Sequence, residues 1–125
     1  MIAVDSSTFI HGLNGHQSDE VSRMRRAMAE ERLLLPLPVV TEVLSFARAA
    51  AELAQVVDAF PRLTMRGGVW ERAGHSRRLI LARRLKARLG DTLVAQACID
   101  SDVPLIASDG DFRHFVTYCG LRLVA

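Results

Sequence analysis

Five short runs of apolar residues, spread along the chain, constrain the fold more than any other feature. Each is three to five residues long, and the first, second and fourth are apolar throughout, which is typical of strands buried on both faces of a sheet. The runs are Ile2–Val4, Leu33–Leu37, Leu63–Met65, Val103–Ala107 and Leu121–Val124. Segments with helical character separate them. This alternation predicts an α/β fold with a mainly parallel sheet.

The intervening segments carry recognisable helix start and stop signals. The predicted helices begin at Ser6, Asp19, Pro38, Val69, Asp91 and Phe112. Ser6 and Ser7 are expected to cap the first of them. The helix from Pro38 is expected to be long, continuing to about Phe60, and the helix from Val69 is expected to run to Leu89 and end at Gly90.

A single domain is expected over residues 1–125, because this length is typical of one folding unit. Half of the residues are hydrophobic, which supplies apolar surface for a compact core. The two cysteines, Cys98 and Cys119, show no metal-binding spacing and suit a reducing compartment. The sequence has no secretory signal, and its longest apolar run, Leu33 to Val40, is too short to cross a bilayer. These features predict a soluble, cytoplasmic protein.

The basic residues are almost all arginine, with fifteen Arg and one Lys in a chain whose net charge is +2. Arginine has a rigid fork of donors that suits phosphate groups, although genomic base composition explains the bias equally well. Seven of the basic residues crowd the segment from Arg72 to Arg88. A solvated helix face and a surface that follows nucleic-acid phosphates both fit this crowding.

Acidic residues occur where the predicted strands end and where the predicted helices begin. Asp5 ends the first strand, and Asp109 ends the fourth, with Asp111 beside it. Glu42 is predicted in the first turn of a helix, and Asp91 at the start of another. Ligands of open parallel sheets bind outside the carboxyl ends of the strands. If the first and fourth strands are neighbours, these acids converge on one rim.

Carboxylates that converge repel one another and raise each other's pKa values. A hard divalent cation removes this penalty, and oxygen ligands suit Mg²⁺ or Mn²⁺ with water completing the octahedron. Such ions generate hydroxide and orient an in-line attack on a phosphodiester. The acids therefore predict a metal site with Asp5, Asp91 and Asp109 as ligands, and with Glu42 and Asp111 contributing directly or through water.

Each acid also has a purely structural interpretation. Asp91 is a good helix N-cap after Gly90, Glu42 is favoured by the dipole near a helix start, and Asp109 before Gly110 is common in turns. Asp5 has the weakest structural interpretation, because an acid rarely ends so apolar a strand. The prediction of a metal site therefore depends on the four acids together.

Four segments, in order along the chain, resemble the motifs of the PIN domain. They are Ile2-Ala-Val-Asp-Ser-Ser7, Val40-Thr-Glu-Val-Leu44, Gly90-Asp-Thr-Leu-Val-Ala-Gln96 and Leu105-Ile-Ala-Ser-Asp-Gly-Asp-Phe112. Each motif alone is weak, and the ordered set, which covers essentially the whole chain, is specific. Within the family the chain is most similar to the VapC-type toxins of prokaryotic toxin–antitoxin pairs.

The resemblance implies a three-layer α/β fold, with a five-stranded, mainly parallel sheet of order 3-2-1-4-5 flanked by helices. It also implies a Mg²⁺- or Mn²⁺-dependent ribonuclease whose acidic positions match Asp5, Glu42, Asp91 and Asp109. A further acid that is often present in the family matches Asp111.

Two positions near the acids are also judged from the resemblance. Ser7 matches a small polar residue that supports the first acid. The family often has Thr two residues before the fourth acid, where this chain has Ala107. Ser108 is a candidate to replace that hydroxyl.

The resemblance further implies an antitoxin of the VapB type and a homodimer. Such antitoxins lay a helix or tail in an apolar groove, for which Met24, Met28 and Phe46 are candidate walls. Core packing is the alternative for each of them, and Trp70 and Phe46 are expected in the core rather than as base-stacking platforms. For Arg113 and His114, contact with RNA phosphates and simple covering of the acidic loop both fit.

Together these observations predict the toxin of a toxin–antitoxin pair, a metal-dependent endoribonuclease that cuts phosphodiesters of tRNA, rRNA or mRNA and leaves a 5′-phosphate. The alternative is a catalytically inactive PIN-fold module that binds RNA or protein. The retained acids argue against that module, and a failure to bind Mg²⁺ or Mn²⁺ would favour it.

Overall fold

The computed structural model describes residues 1–46 and 50–125. Within these ranges it contains four short strands where apolar runs predicted them. They are β1 (Ile2–Val4), β2 (Leu33–Pro36), β3 (Arg62–Leu63) and β4 (Leu105–Ile106). Every pairing is parallel, and the strand order is β3-β2-β1-β4. β1 therefore lies between β2 and β4, so the first and fourth strands are neighbours.

The register of the sheet brings two strand ends together. Ala3 in β1 pairs with Leu34 on one side and with Leu105 on the other. Directly after β1, the amide of Asp5 donates to the carbonyl of Ile106 over 3.0 Å. The segments that follow β1 and β4 therefore emerge at the same edge of the sheet.

The fifth strand of the expected order is reduced to one parallel bridge between Leu105 and Leu123. Leu105 donates its amide to the carbonyl of Arg122 and accepts the amide of Val124, both over 2.9 Å. This segment lies beside β4, where the order 3-2-1-4-5 places it. Because β4 is only two residues long, it offers few groups for a longer ladder.

Helices fill the chain between the strands. Those in the described ranges are α1 (Ser6–Leu13), α2 (Asp19–Ala29), α3 (Leu37–Leu44), α4 (Ala50–Asp58), α5 (Val69–Leu81), α6 (Leu89–Ser101) and α7 (Phe112–Cys119). α2 packs against β2 and β4, whereas α6 packs against β2 and against α3, α5 and α7. The α/β architecture with a parallel sheet and flanking helices is confirmed.

The long helix predicted from Pro38 to about Phe60 is wrong. α3 ends at Leu44 and α4 begins at Ala50, while residues 47–49 of the predicted helix lie outside the described ranges. After α3, Ser45 donates its hydroxyl to the carbonyl of Thr41 over 2.6 Å. Such side-chain bonds compete with the backbone pattern of a continuing helix.

The predicted boundary between the next two long helices is also wrong. α5 ends at Leu81 instead of reaching Leu89, and Arg84 then adopts a left-handed backbone with φ of 59°. α6 begins at Leu89, with the extended Arg88 as its N-cap. Asp91 is consequently the third residue of α6 and does not cap it.

Aromatic residues divide sharply between core and surface. Phe9, Phe112 and Phe115 are among the largest fully buried side chains. Trp70 and Phe46 are 63% and 54% exposed, so the expectation that they lie in the core is wrong. In α5 the buried positions are Val69, Ala73 and Ile80, and a helix turns Trp70, one residue after Val69, away from that face.

The cysteines and the helices give two further findings. Cys98 is buried, which raises the pKa of its thiol to about 12, and Cys119 is half-buried. Both thiols are free. In the described part of the chain, no helix has both the length and the apolar character needed to span a bilayer.

Candidate acidic site

Asp5 stands between β1 and α1, and backbone amides bind both of its carboxylate oxygens. Oδ1 accepts from Thr8 over 2.9 Å, and Oδ2 accepts from Ser108 over 3.2 Å. Asp5 is therefore the N-cap of α1, and the prediction that Ser6 and Ser7 cap this helix is wrong. The second bond ties the start of α1 to the segment after β4.

The charge of Asp5 is subject to opposing effects. Its side chain is buried, and burial raises its pKa above the ordinary value for an aspartate. Hydrogen bonds from Thr8, Ser108 and Asp109 act in the opposite direction without overcoming the effect of burial. An additional positive charge near Asp5 would stabilise its ionised form.

Asp91 has a carboxylate oxygen, Oδ2, that is buried and has no hydrogen-bond partner among the described residues. Burial raises its pKa to about 6, and the negative charges of Asp109 and Glu42 act in the same direction. Asp5 adds a smaller effect of the same sign, and Arg88 opposes it. Asp91 therefore lies within electrostatic range of the other three carboxylates.

Glu42 reaches the cluster from α3. It lies in the second turn of this helix, so its predicted place in the first turn is wrong. The hydroxyl of Ser6 donates to its Oε1 over 2.9 Å. Gly90, in the first turn of α6, is so close that a Cβ atom there would lie 3.5 Å from Oε2. Gly90 belongs to α6 and does not end the preceding helix, and a Cβ atom there would be in ordinary van der Waals contact with Glu42.

Asp109 follows β4, and its Oδ1 accepts the amide of Asp111 over 2.9 Å, which closes a tight turn. Asp111 lies beside two basic side chains. Its Oδ2 is 4.0 Å from Nζ of Lys86, and its Oδ1 is 3.9 Å from Nε2 of His114. Asp109 thus contributes its charge to the cluster, whereas Asp111 is placed next to basic groups.

Thr8 and Ser108 bind Asp5 through their backbone amides, and among the described residues Ser7 makes no hydrogen bond to it. Ser7 lines a cleft of ≈460 Å³ together with Glu42. Asp5 is held by Thr8 and Ser108, whose hydroxyl oxygens lie 2.6 Å apart. An acid three residues before Thr8, at a helix start, is a common N-cap signal and would have identified this pair from the sequence. Ser108 thus donates a hydrogen bond to Asp5 and directly follows Ala107, the position at which the family often has a threonine.

The carboxylates of the cluster suit a hydrated divalent cation better than one enclosed by protein ligands. Within residues 1–46 and 50–125, no three Asp, Glu, His or Cys side chains are close enough to form a complete ligand group. Mg²⁺ usually keeps several waters and binds through one or two carboxylates, so a complete protein cage is not required. The unpartnered oxygen of Asp91, near three further carboxylates, fits such a hydrated ion.

A larger groove lies elsewhere on the protein. It has a volume of ≈1030 Å³ and is lined by residues of α5 and α6, including Trp70, Leu81 and Leu89. None of the four carboxylates lines it. The candidate site is therefore identified by its charge and hydrogen bonding rather than by the size of its cleft.

The family model described as PIN domain matches residues 2–116. The chain belongs to the PIN domain family. The resemblance of the four ordered motifs to PIN domains is thereby confirmed for the chain as a whole. A comparison with curated protein sequences found no match.

Solved structures share the fold of this PIN domain over nearly its whole length. VapBC2 from Rickettsia felis, bound to a DNA fragment from its promoter, has a TM-score of 0.75 at 14% identity, covering 99% of this chain and 98% of that one. DNA-bound VapBC from Salmonella typhimurium has a TM-score of 0.72 at 14% identity, with the same coverage. FitAcB from Neisseria gonorrhoeae has a TM-score of 0.75 at 13% identity, covering 100% and 97%. At such identities the likeness establishes the fold alone.

Proposed function

We propose that this PIN domain is a divalent-cation-dependent endoribonuclease of the VapC type. The observation that carries the proposal is the buried, unpartnered Oδ2 of Asp91 close to three other carboxylates. An acid with a structural role has its oxygens satisfied, as Asp5 does. Among like charges, the ionised form of such an oxygen is stabilised by a bound cation.

In this proposal Asp5, Asp91 and Asp109 hold Mg²⁺ or Mn²⁺, with Glu42 and Asp111 contributing directly or through water. The ion would supply a Lewis acid and an activated water for in-line cleavage of an RNA phosphodiester. The chain's own residues position the acids. Ser6 orients Glu42, while Thr8 and Ser108 fix Asp5. Arg113 and His114, just after the acidic loop, are proposed contacts for RNA.

Asp91→Asn is the variant that tests the proposal most directly. It removes one charge from the cluster without removing a hydrogen bond of Oδ2, because that oxygen has none with residues 1–46 and 50–125. Cleavage of labelled RNA in the presence of Mg²⁺ or Mn²⁺ is expected to fall by at least about 10²-fold, the scale on which loss of one electrostatic catalytic group acts. RNA cleavage that continues unchanged in this variant would refute the assignment.

Asp102→Asn is the matched control, because Asp102 lies at the other end of α6 and is exposed. Its backbone is left-handed with φ of 52°, a conformation that Asn tolerates well. RNA cleavage by Asp102→Asn is expected to equal that of the unaltered chain. A parallel loss in both variants would indicate damage to α6 rather than to the acidic cluster.

The proposed biological role is that of a toxin neutralised by a VapB-type antitoxin, with the toxin forming a homodimer. Support comes from the solved structures that share the fold, since two of them are of VapBC. Expression of the chain alone is expected to inhibit growth, and co-expression of the product of an adjacent small reading frame is expected to relieve it. Failure of the two products to co-purify would contradict the pairing.

A further inference from the structure

Arg23, in the middle of α2, is half-buried, and its guanidinium has no hydrogen bond or ion pair with any residue in the described ranges. The other half-buried arginines in those ranges behave differently. Arg62, Arg72 and Arg77 each donate to carbonyl or carboxylate oxygens of the protein. A guanidinium without a partner inside the protein keeps all of its donors for an anion from outside the chain.

Arg23 lines a cleft of ≈230 Å³ between α2 and the segment that leads into α7. Arg113, the second residue of α7, lines the same cleft, so two arginines line it from different helices. Asp109 lines it as well and thereby connects it with the acidic cluster. At Gly110 a Cβ atom would meet nothing within 4 Å, which shows that the loop leaves this side open.

We propose that this cleft is a phosphate-binding subsite, in which Arg23 and Arg113 hold an RNA phosphate next to the one that is cleaved. The proposal rests on the proposed function for its substrate and adds Arg23 and the position of a neighbouring nucleotide. Two planar guanidinium forks bind phosphate oxygens with charge-assisted hydrogen bonds. A cleft smaller than those that enclose drug-sized ligands, about 300 Å³ and above, suits a single phosphate group.

An acidic segment of a protein partner would also be attracted to two arginines. RNA is favoured because the cleft shares Asp109 with the cluster at which the scissile phosphodiester is proposed to lie. Phosphates of one strand repeat at the spacing of a single nucleotide. A strand bound at the cluster would therefore carry its next phosphate towards the adjoining cleft, which shares Asp109 with the cluster.

Replacing Glu20 is expected to have the opposite effect on RNA binding from replacing Arg23. It lines the same cleft one turn before Arg23 in α2, and no ion pair joins the two side chains in the described residues. A carboxylate beside a bound phosphate weakens its binding through like-charge repulsion. Arg23→Gln should therefore weaken RNA binding, and Glu20→Gln should strengthen it.

The experiment measures binding of a short, labelled single-stranded RNA over a range of salt concentrations, in the Asp91→Asn background where the proposed cleavage is absent. Arg23→Gln is expected to weaken binding about 10-fold and to reduce the salt slope by about 0.7, the value for one lost phosphate contact on a single strand. Arg26→Gln, on the exposed side of the same helix, is expected to leave both quantities unchanged. Arg23→Lys is expected to retain the salt slope and part of the affinity.

The outcomes separate this subsite from the proposed nuclease function. If Arg23→Gln and Arg26→Gln bind RNA equally well, the subsite is refuted even when Asp91→Asn abolishes cleavage, and an acidic segment of a protein partner becomes the better occupant. If Asp91→Asn still cleaves RNA, the nuclease assignment fails. The cleft is then tested with inorganic phosphate, which should raise the melting temperature of the unaltered chain more than that of Arg23→Gln. Equal shifts would refute the subsite.

Discussion

Asp5 and Asp91 belong to one cluster and yet relate to the fold in different ways. Backbone amides from α1 and from the segment after β4 bind the two oxygens of Asp5, so its carboxylate also holds the structure together. Oδ2 of Asp91 makes no such bond among the described residues. Removing the charge of Asp91 therefore leaves these structural hydrogen bonds intact, whereas a change at Asp5 removes them.

Asp91→Asn is predicted to stabilise the fold when no divalent cation is present. The raised pKa of Asp91 means that its ionised form is disfavoured in the folded state at neutral pH. The free energy of unfolding of the variant is expected to rise on the order of 1 kcal/mol above that of the unaltered chain. This is less than the full pKa shift implies, because the side chain of Asp91 is partly solvated. Urea unfolding in EDTA measures it. Addition of Mg²⁺ should then stabilise the unaltered chain more than the variant, and a less stable variant in EDTA would contradict the prediction.

Asp5→Ala is predicted to destabilise the chain by about 2–4 kcal/mol. Loss of the N-cap accounts for about 1 kcal/mol, and the unsatisfied amide of Ser108 adds about 1–3 kcal/mol. Ser18→Ala is the matched control, because the hydroxyl of Ser18 caps α2 through the amide of Val21 and makes no further hydrogen bond within the described part of the chain. Urea unfolding of both variants is the measurement. Equal losses would show that the Ser108 bond contributes nothing.

At the scale of the elements, α5 and α6 are joined by a polar network. The guanidinium of Arg72 donates to both oxygens of Asp100, at distances down to 2.6 Å. Gln96 donates to Asp100 over 2.9 Å and accepts the hydroxyl of Ser76 over 2.6 Å. Two residues of each helix take part. The network therefore fixes α5 against the helix that carries Asp91.

This network predicts a pH dependence of stability. The hydrogen bonds that Asp100 accepts hold its pKa below the usual range, and the bond from Arg72 has the largest effect. A lowered folded-state pKa contributes stability that is complete above the unfolded value of about 3.9 and is lost as pH falls through the folded value. Unfolding free energies measured from pH 7 downward should therefore fall more steeply below about pH 4 for the unaltered chain than for Asp100→Asn. Parallel profiles would contradict the prediction.

The sequence predicts elements better than it predicts their boundaries. Uniformly apolar runs identify β1, β2 and β4, because buried parallel strands have no polar face. Gly90 before Asp91 has the pattern of a helix stop followed by a cap, yet Gly90 lies inside α6, where Glu42 from another helix lies against it. That contact joins residues far apart in the chain. Local patterns do not contain such information.

In the candidate site, too, local sequence patterns do not reveal contacts between residues that are far apart in the chain. The resemblance to PIN domains and the strand-end positions identified Asp5, Glu42, Asp91 and Asp109, and the structure brings the other three within electrostatic range of Asp91. The sequence did not show that Ser108 binds Asp5, because the two residues meet only through the pairing of β1 with β4. The absence of a partner for Asp91 is likewise a property of the packed structure.

At the scale of the whole molecule, the buried aromatic residues hold α7 against the rest of the core. Phe115→Ala is predicted to cost about 3–5 kcal/mol, because it leaves a cavity where the side chain is 0% exposed. Trp70→Ala, at a side chain that is 63% exposed, is predicted to change stability by less than about 0.5 kcal/mol. Chemical denaturation of the two variants is the comparison. A large loss for Trp70→Ala would indicate that the residue is covered in solution.

The double role of Asp5 has a consequence for how such chains diverge. A lineage that abandons catalysis while keeping the fold as a scaffold can replace Asp91 at little structural cost, whereas replacing Asp5 removes a helix cap and a cross-link between β1 and β4. Under the proposed nuclease function, relatives that have lost the activity are therefore expected to retain an aspartate at the position of Asp5, because it also serves the fold. An aspartate at the position of Asp91 is then the better sign of a retained active site.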